Sequence, residues 1–339
     1  MADPTRRCVL AGVAATLALG SGCLGSGGRS VTTLRPDSSG PATTVDGTVY
    51  FGTTEDLYAI DTESQETIWT YHGTTDEIDF RPSVADGTVY VSENFDGGVH
   101  AVSGGGRDWR FDDYTNQPSR PVPSGDAVYV TAGGTLYELD RADGTVRRTR
   151  SLDTLLPATP VVRADALYVL VGERLWGIDR ATLDAAWTHP VAERSGLAVR
   201  GDALLVSSTR HGGLVALDRR DGSLAWETEL GHVSRVTTTD DGFYAVEQTG
   251  EQGRLGAYEA GGIKRWVTPN ARITIGPAAD SEAVYGVSRA LEELRAFDAT
   301  TGEKQWTAGI DAGSFRGPPA IAPGHVYVPT TAGLVAVET

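Results

Sequence analysis

The chain has very few cysteines and lysines for its 339 residues. Its two cysteines, Cys8 and Cys23, both lie close to the N-terminus, so the body of the protein has no disulfide, thiolate metal site or thiol nucleophile. Only Lys264 and Lys304 are lysines, and the formal net charge is −16. Nucleic acids and anionic lipid surfaces are bound by clustered Lys and Arg. We therefore exclude nucleic acid as a partner.

A long hydrophobic run is also missing. The apolar segment at residues 9–19 is too short to span a bilayer. With the basic residues before it and small residues after it, it predicts a signal peptide over residues 1–22. Arg6 and Arg7 directly precede the apolar run, as in a twin-arginine export signal. The acidic, lysine-poor composition looks like that of haloarchaeal proteins, and an ordinary acidic exported protein is the alternative.

Residues 19–23 read LGSGC and resemble a lipobox, which implies cleavage before Cys23 and lipid on its thiol. The aliphatic residue lies one position further upstream than usual, so a simple cleavage site with a free cysteine is the alternative. A lipid anchor would hold the protein at the outer face of the cell membrane. Residues 24–39 are rich in Gly and Ser and predict a flexible tether that contains a closing strand.

The rest of the chain, residues 40–339, repeats one unit eight times. One element of the unit recurs every 37 to 42 residues, as Val49-Tyr50, Val89-Tyr90, Val128-Tyr129, Leu167-Tyr168, Leu204-Leu205, Phe243-Tyr244, Val284-Tyr285 and Val326-Tyr327. Another is a tryptophan near the end of the unit, found as Trp69, Trp109, Trp187, Trp226, Trp266 and Trp306, with Arg148 in the third copy. Each unit holds four short strand-like segments separated by turn residues.

Four strands in about 40 residues is the size of a β-propeller blade. The sequence therefore predicts an all-β, eight-bladed propeller with four antiparallel strands per blade. The last unit stops after its third strand, and the segment Ser30–Leu34 precedes the first unit. We predict that this N-terminal strand pairs with the last blade and closes the ring, which removes an exposed strand edge.

The copies that end at Trp226 and Trp306 resemble the tryptophan-docking repeat of the pyrroloquinoline-quinone-like propellers. That family includes quinone-dependent dehydrogenases and the lipoprotein of the bacterial outer-membrane β-barrel assembly machine. Small residues such as Ala296 leave room for a flat indole, which buries a large area and needs a partner for its N–H. The six tryptophans are therefore predicted to be structural docking residues between blades.

The dehydrogenase members imply a quinone over the ring axis beside a disulfide of adjacent cysteines, a calcium ion and an aspartate base. This chain has no adjacent cysteines and is shorter than those enzymes, and it has no counterpart of their acidic motif. We expect no catalytic residue, no resident cofactor and no metal. A quinone-dependent oxidoreductase, or a subunit of one, with pyrroloquinoline quinone or calcium, is the alternative function.

No other catalytic or metal motif stands out. The six histidines have no metal-ligand spacing, and no Gly-x-Ser-x-Gly motif occurs. The acidic stretches at residues 76–79 and 292–293 are expected to be solvated loops, with cation binding as the alternative.

Binding is expected in the longer loops, which follow the tryptophan strand or join the second and third strands. Arg81, Arg120 and Arg316 each come just before an innermost strand, and Phe80 and Phe315 precede two of them. We predict that these arginines converge near the channel mouth, where guanidinium groups can hold a carboxylate or an acidic segment. Pairing with nearby Asp79 or Asp311 is the alternative. The expected protein is a monomeric, non-catalytic scaffold for an envelope protein or a small ligand.

Overall fold

The computed structural model describes residues 23–24, 29–35, 37, 39–74, 76–78, 80–94, 98–113, 116–152, 158–191, 196–208, 213–228, 233–247 and 253–339. Arg6 and Arg7 lie outside these residues. Throughout the described ranges the only regular elements are β-strands, which form eight antiparallel sheets. No helix among them is long and apolar enough to cross a membrane.

Seven sheets each contain four strands that follow one another along the chain. Blade one contains β3 (Thr43–Val45), β4 (Thr48–Gly52), β5 (Leu57–Asp61) and β6 (Thr67–Tyr71). Blade two contains β7 (Ser83–Ala85), β8 (Thr88–Ser92), β9 (Val99–Ser103) and β10 (Gly106–Phe111). Blade three contains β11 (Val122–Ser124), β12 (Ala127–Ala132), β13 (Thr135–Asp140) and β14 (Val146–Ser151). Blade four contains β15 (Val161–Val162), β16 (Ala166–Val171), β17 (Arg174–Asp179) and β18 (Ala185–Pro190).

The second half of the ring repeats this order. Blade five contains β19 (Gly196–Arg200), β20 (Ala203–Ser208), β21 (Gly213–Asp218) and β22 (Leu224–Thr228). Blade six contains β23 (Val233–Thr239), β24 (Gly242–Glu247), β25 (Arg254–Tyr258) and β26 (Lys264–Thr268). Blade seven contains β27 (Ile275–Ala279), β28 (Ala283–Ser288), β29 (Glu293–Asp298) and β30 (Lys304–Gly309). Blade eight takes β31 (Ala320–Ala322), β32 (His325–Thr330) and β33 (Gly333–Glu338) from the end of the chain.

The N-terminal segment completes blade eight, as the sequence predicts. Strand β2 (Ser30–Leu34) pairs antiparallel with β33, and Val31 lies opposite Val337. An unpredicted two-residue strand, β1 (Cys23–Leu24), pairs in turn with β2. The segment expected to be a flexible tether therefore holds two strands at the outer edge of blade eight.

Contacts between the innermost strands close the ring. Each innermost strand contacts that of the next blade, and β31 of blade eight contacts β3 of blade one. This arrangement confirms the predicted eight-bladed propeller. The second strand of a blade is packed on both faces by neighbouring sheets, so all residues of β12 and β28 are buried. The outermost strands are mostly exposed or half-buried, as in β14.

The hydrophobic core is a series of clusters, each of which lies between two neighbouring sheets. Tyr129 and Leu136 of blade three, for example, pack with Leu167 and Val169 of blade four. The valine-tyrosine elements supply much of this core, because their side chains point to opposite faces of a sheet that is covered on both sides. Tyr90, Tyr129, Tyr168 and Tyr327 are almost completely buried.

The indoles of the outermost strands lie against the turns of the next blade. A Cβ atom added to the glycine of the facing turn would lie 2.3 to 2.8 Å from an indole ring, at Gly144 against Trp109, Gly222 against Trp187, Gly262 against Trp226 and Gly302 against Trp266. The N–H groups also reach that turn, since Trp109 donates to the carbonyl oxygen of Arg141 at 2.9 Å and Trp266 to that of Ala299 at 3.1 Å. Only glycine fits under the ring.

Candidate functional site

A channel runs through the centre of the ring and is lined by residues from all eight blades. Its volume is about 1280 Å³. Small and β-branched side chains such as Thr43, Val122, Ala278 and Ala320 form most of the wall. These residues belong to the innermost strands or lie beside them, which places them next to the axis. The channel is large enough for a small-molecule ligand.

Five arginines line this channel: Arg81, Arg120, Arg163, Arg235 and Arg316. Among the described residues, the lining includes no Asp or Glu. The sequence predicts the convergence of three of these arginines, and the structure places all three in the lining. Their positive charge contrasts with the formal net charge of −16 of the whole chain.

Arg81, Arg120 and Arg235 occupy the same position in three different blades. Each lies two residues before the inner-strand residue that pairs with a Tyr of the second strand, in the pairs Ser83–Tyr90, Val122–Tyr129 and Thr237–Tyr244. The three guanidinium groups therefore start from one level of the channel. Blades two and three are neighbours, whereas blade six lies across the axis from blade two.

These three arginines have few partners. Arg81 donates one long hydrogen bond, at 3.5 Å, from Nη2 to the carbonyl oxygen of Pro319. The Nε atom of Arg120 is buried without a hydrogen-bond partner. Within the described part of the chain, neither Arg120 nor Arg235 makes an ion pair. The local alternative, pairing of Arg81 with Asp79, lies outside the described residues.

The electrostatics of the channel reflect this lack of carboxylates. Burial, and then the positive charges of Arg120 and Arg235, lower the pKa of Arg81 to about 10. Burial likewise lowers the pKa of Arg120. Arg81 remains positively charged near neutral pH, because a pKa of about 10 lies well above it. The channel thus concentrates like charges in a partly desolvated space.

The other predicted binding residues are divided between the channel and the core. Phe80 lines the channel. Arg316 also lines it and forms an ion pair with Glu77 of the loop between blades one and two. Phe315 does not reach the channel. Its ring is only 5% exposed and packs in the core cluster with Ile310 and Val328, so its proposed ligand contact is wrong.

Sequence reasoning missed Arg163 and Arg235 because no proline follows either of them. A different signal could have found Arg235. It lies nine residues before Tyr244 (244 − 235), just as Arg81 lies nine before Tyr90 and Arg120 nine before Tyr129. The distance from the tyrosine therefore identifies all three arginines that lie at one level of the channel, whereas the Arg-Pro pair identifies only Arg81 and Arg120.

The connections of each blade are divided between two faces of the ring. Turns between the first and second strands and between the third and fourth strands lie on one face, which we call the turn face. The loops that join second and third strands, and those that lead to the next blade, lie on the opposite face, which we call the loop face. Arg81, Arg120 and Arg316 stand at the loop-face end of their inner strands. The longer, more variable loops thus surround the arginine end of the channel.

The acidic stretches have local partners. Glu77 pairs with Arg316, and Glu293 pairs with Arg295 at 2.7 Å. Ile78, between the acidic residues, is fully buried. The described residues contain no group of three or more His, Cys, Asp or Glu that could hold a metal ion.

The channel residues do not fit the calcium and quinone site of the dehydrogenases. Calcium requires several oxygen ligands, and no carboxylate belongs to the described channel lining. Both cysteines lie near the N-terminus and are not adjacent, so they cannot form the disulfide of adjacent cysteines that the resemblance implies. Neither calcium nor quinone chemistry can therefore be derived from these side chains.

The ring of eight blades, six of which carry a docking tryptophan, and the central channel define a propeller of the pyrroloquinoline-quinone-like class. Residues 95–308 match the family described as outer membrane protein assembly factor BamB, and the chain belongs to that family. A comparison with curated protein sequences gives no match.

Several solved structures share the fold. The computationally designed Ika8 protein is 13% identical, with a TM-score of 0.76 and coverage of 90% of this chain and 98% of that one. BamB from Moraxella catarrhalis is 18% identical, with a TM-score of 0.71 over 91% of this chain and 97% of that one. The quinohemoprotein alcohol dehydrogenase from Comamonas testosteroni is 14% identical, with a TM-score of 0.68 over 91% of this chain and 76% of that one. At these identities the likeness concerns the fold alone.

Proposed function

We propose that this protein is an exported, lipid-anchored propeller that binds an envelope protein through its loop face and performs no catalysis. Membership of the BamB family, described by its role in outer membrane protein assembly, is the observation that carries the proposal. Variable loops on a rigid ring are suited to recognition. The resemblance concerns the scaffold rather than a particular membrane, and the capture experiment described below identifies the partner.

The proposed anchor is a lipid on Cys23, after export directed by Arg6 and Arg7. Strand β1 begins at Cys23 and pairs with β2, so a lipid there would attach at the edge of blade eight. We expect Cys23→Ser to move the protein from the membrane fraction to the medium, and Arg6→Lys with Arg7→Lys to retain it inside the cell. Membrane association of Cys23→Ser would contradict lipid anchoring.

Partner capture from native membranes tests the binding face. Asp113 and Asp311 are exposed acids in loop-face connections, and Glu63 and Asp241 are exposed acids in turn-face connections. Reversal of the loop-face pair to Arg should abolish capture of a specific envelope protein. The matched reversal of Glu63 and Asp241 changes the net charge equally and should leave capture intact. If both variants lost capture equally, or if neither variant lost it, the result would contradict a loop-face site.

The alternative function is a quinone-dependent oxidoreductase. The similar fold of the alcohol dehydrogenase structure is the observation that favours it. Protein purified from native membranes should show no quinone absorbance and no stoichiometric calcium by elemental analysis. Stoichiometric recovery of either one would favour the oxidoreductase over the scaffold.

A further inference from the structure

Three guanidinium groups from three blades converge at one level of the central channel. We propose that Arg81, Arg120 and Arg235 form a binding site for a di- or trivalent oxyanion, either a phosphate or a small polycarboxylate. The inference builds on the ligand-binding part of the proposed function. Capture of an envelope protein by the loop face is measured separately, so the two can fail independently.

The first argument is the unbalanced charge. Arg81 and Arg120 are partly buried, and within the described part of the chain their guanidinium groups make one long hydrogen bond, from Arg81 to the backbone carbonyl oxygen of Pro319. Among the residues that the structure describes, the channel lining contributes five arginines and no carboxylate. Like charges in a partly desolvated channel repel one another, and a bound anion relieves that repulsion.

The second argument is the ring geometry. Arg81 and Arg120 come from neighbouring blades, and Arg235 faces Arg81 across the axis at the same strand position. The positions equivalent to these arginines in the other blades carry small or apolar side chains or none: Pro41, Thr159, Gly196, Gly276 and Pro318. An anion on the axis can therefore meet guanidinium groups from two sides. A guanidinium presents paired N–H donors that match the oxygen spacing of carboxylates and phosphates.

The third argument concerns the size of the ligand. The cavity of about 1280 Å³ is roomy for a small polycarboxylate with its water. At the loop-face rim, Arg316 already pairs with Glu77. Arg81 and Arg120 stand two residues nearer to their inner strands than Arg316 does, and both are half-buried, so their positive charge lies inside the channel mouth. A charge in this place favours a small anion that can enter the channel. It is less suited to an acidic protein segment that docks on the surface.

Calorimetric titration of the full-length protein at constant ionic strength tests the site. Citrate and inorganic phosphate are the probes, and acetate is the monovalent comparison. We expect one citrate or phosphate per chain, with an affinity at least about tenfold above that of acetate. The stronger of the two identifies the ligand class as polycarboxylate or phosphate. Equal affinity for acetate would overturn the proposal, and tighter binding of hexaglutamate than of citrate would replace the small anion with an acidic chain segment.

Arginine variants distinguish this role from a structural one. Arg120→Gln and Arg235→Gln should each weaken citrate binding by about tenfold or more. Arg163→Gln is the matched control, because Arg163 lines the same channel but donates to the carbonyl oxygen of Val162 at 2.9 Å and lies away from the three-arginine level. It should change the affinity less than about twofold.

The melting temperature without anion gives a second reading. Without anion, Arg120→Gln and Arg235→Gln should each melt at a higher temperature than the wild type, because one of three repelling charges is removed. Citrate should raise the melting temperature of the wild type but not that of either variant. A lower melting temperature in both variants, with unchanged citrate affinity, would assign these arginines a structural role and overturn the proposal.

Discussion

Glu138 and Arg148 are cross-strand partners in blade three, at the two positions that a small residue and a tryptophan occupy in other blades. Ala296 and Trp306 form the equivalent pair in blade seven. Arg148 pairs with the buried carboxylate of Glu138, and its Nη2 also donates to the carbonyl oxygen of Arg180 at 3.0 Å. That carbonyl is the equivalent of the one that accepts the indole N–H of Trp109. The arginine thus reproduces the inter-blade hydrogen bond of the missing indole.

The turn facing this junction has changed as well. Leu183, with φ of 60°, stands at the turn position that glycine holds opposite Trp109 and Trp266. Gln65, with φ of 58°, takes the same position in blade one. Gln65 hydrogen-bonds to His325 of blade eight. In that blade the closing strand carries Thr32 in the tryptophan slot, opposite Ala336. Where the indole is absent, the turn no longer needs glycine. The residue in the tryptophan slot, its cross-strand partner and the turn residue of the next blade therefore depend on one another through one steric contact.

Conversion of the third junction to the common pattern tests this link. Glu138→Ala alone leaves the guanidinium without its carboxylate and should lower the free energy of unfolding by about 1–3 kcal/mol. Arg148→Trp alone forces an indole against Glu138 and Leu183, with a similar cost from overpacking. The triple variant that adds Leu183→Gly should return to within about 1 kcal/mol of the wild type.

The measurement is chemical unfolding followed by far-ultraviolet circular dichroism, which does not depend on the added tryptophan. If the three changes were simply additive, the triple variant would be the least stable. That result would show that the three positions do not act together to stabilise the junction between blades three and four.

The glycine under an indole can be compared with a glycine in open space. Gly302 has φ of 75° and lies against Trp266, whereas Gly47 has φ of 73° with no atom near the place of a Cβ. Gly47→Ala should lose about 1 kcal/mol from the left-handed backbone alone. Gly302→Ala should lose at least about 1 kcal/mol more, because its methyl group overlaps the ring. Similar losses at both sites, measured by urea unfolding, would argue against close indole packing.

Acid should weaken the turns that follow the third strands. The backbone N–H of Thr301, and then that of Thr300, hydrogen-bond to the Asp298 carboxylate and lower its pKa below the ordinary value of 3.8. A depressed folded-state pKa stabilises the protein above about pH 4, and this contribution is lost as the pH falls through the folded-state value. Asp298→Ala should therefore lower the urea midpoint at pH 7, with a difference that shrinks toward pH 3. A difference that stays constant over that range would contradict this origin.

Ring closure depends on the buried end of β2. Leu34 is only 8% exposed, lies opposite Leu334 and packs in the cluster between blades eight and one. Leu34→Ala should lower the free energy of unfolding by about 2–4 kcal/mol. Thr32→Ala in the same strand is the control and should cost less than about 1 kcal/mol. Equal, small effects of both substitutions would mean that closure adds little to stability.

The repeat made most of the fold predictable. The regular tyrosine and tryptophan positions specify the number of blades, and the missing fourth strand of the last copy specifies the closing role of Ser30–Leu34. Strand β1 could not be predicted, because a segment of two residues is too short to show the alternation of polar and apolar side chains that marks a strand. It is recognised as a strand only because it pairs with β2. The site was predictable in part. Arg81 and Arg120 were marked by the prolines after them, whereas Arg235 has no such mark.

Phe315 shows the limit of reading a site from neighbours in sequence. It precedes Arg316 directly, yet adjacent residues in extended chain point in opposite directions. The ring of Phe315 enters the core between blades seven and eight, while the Arg316 side chain reaches the channel. Which of two neighbours faces the axis depends on the local register of the loop, and the sequence pattern does not determine it.

Site-specific photo-crosslinking in native membranes tests the central claim, that the ring binds a partner through its loop face, most directly. A photoreactive residue would be placed at Asp113 or Asp311 on the loop face, and at Glu63 or Asp241 on the turn face. We predict crosslinks to one envelope protein from the loop-face positions and none from the turn-face positions. Crosslinks from the turn-face positions alone would contradict the account.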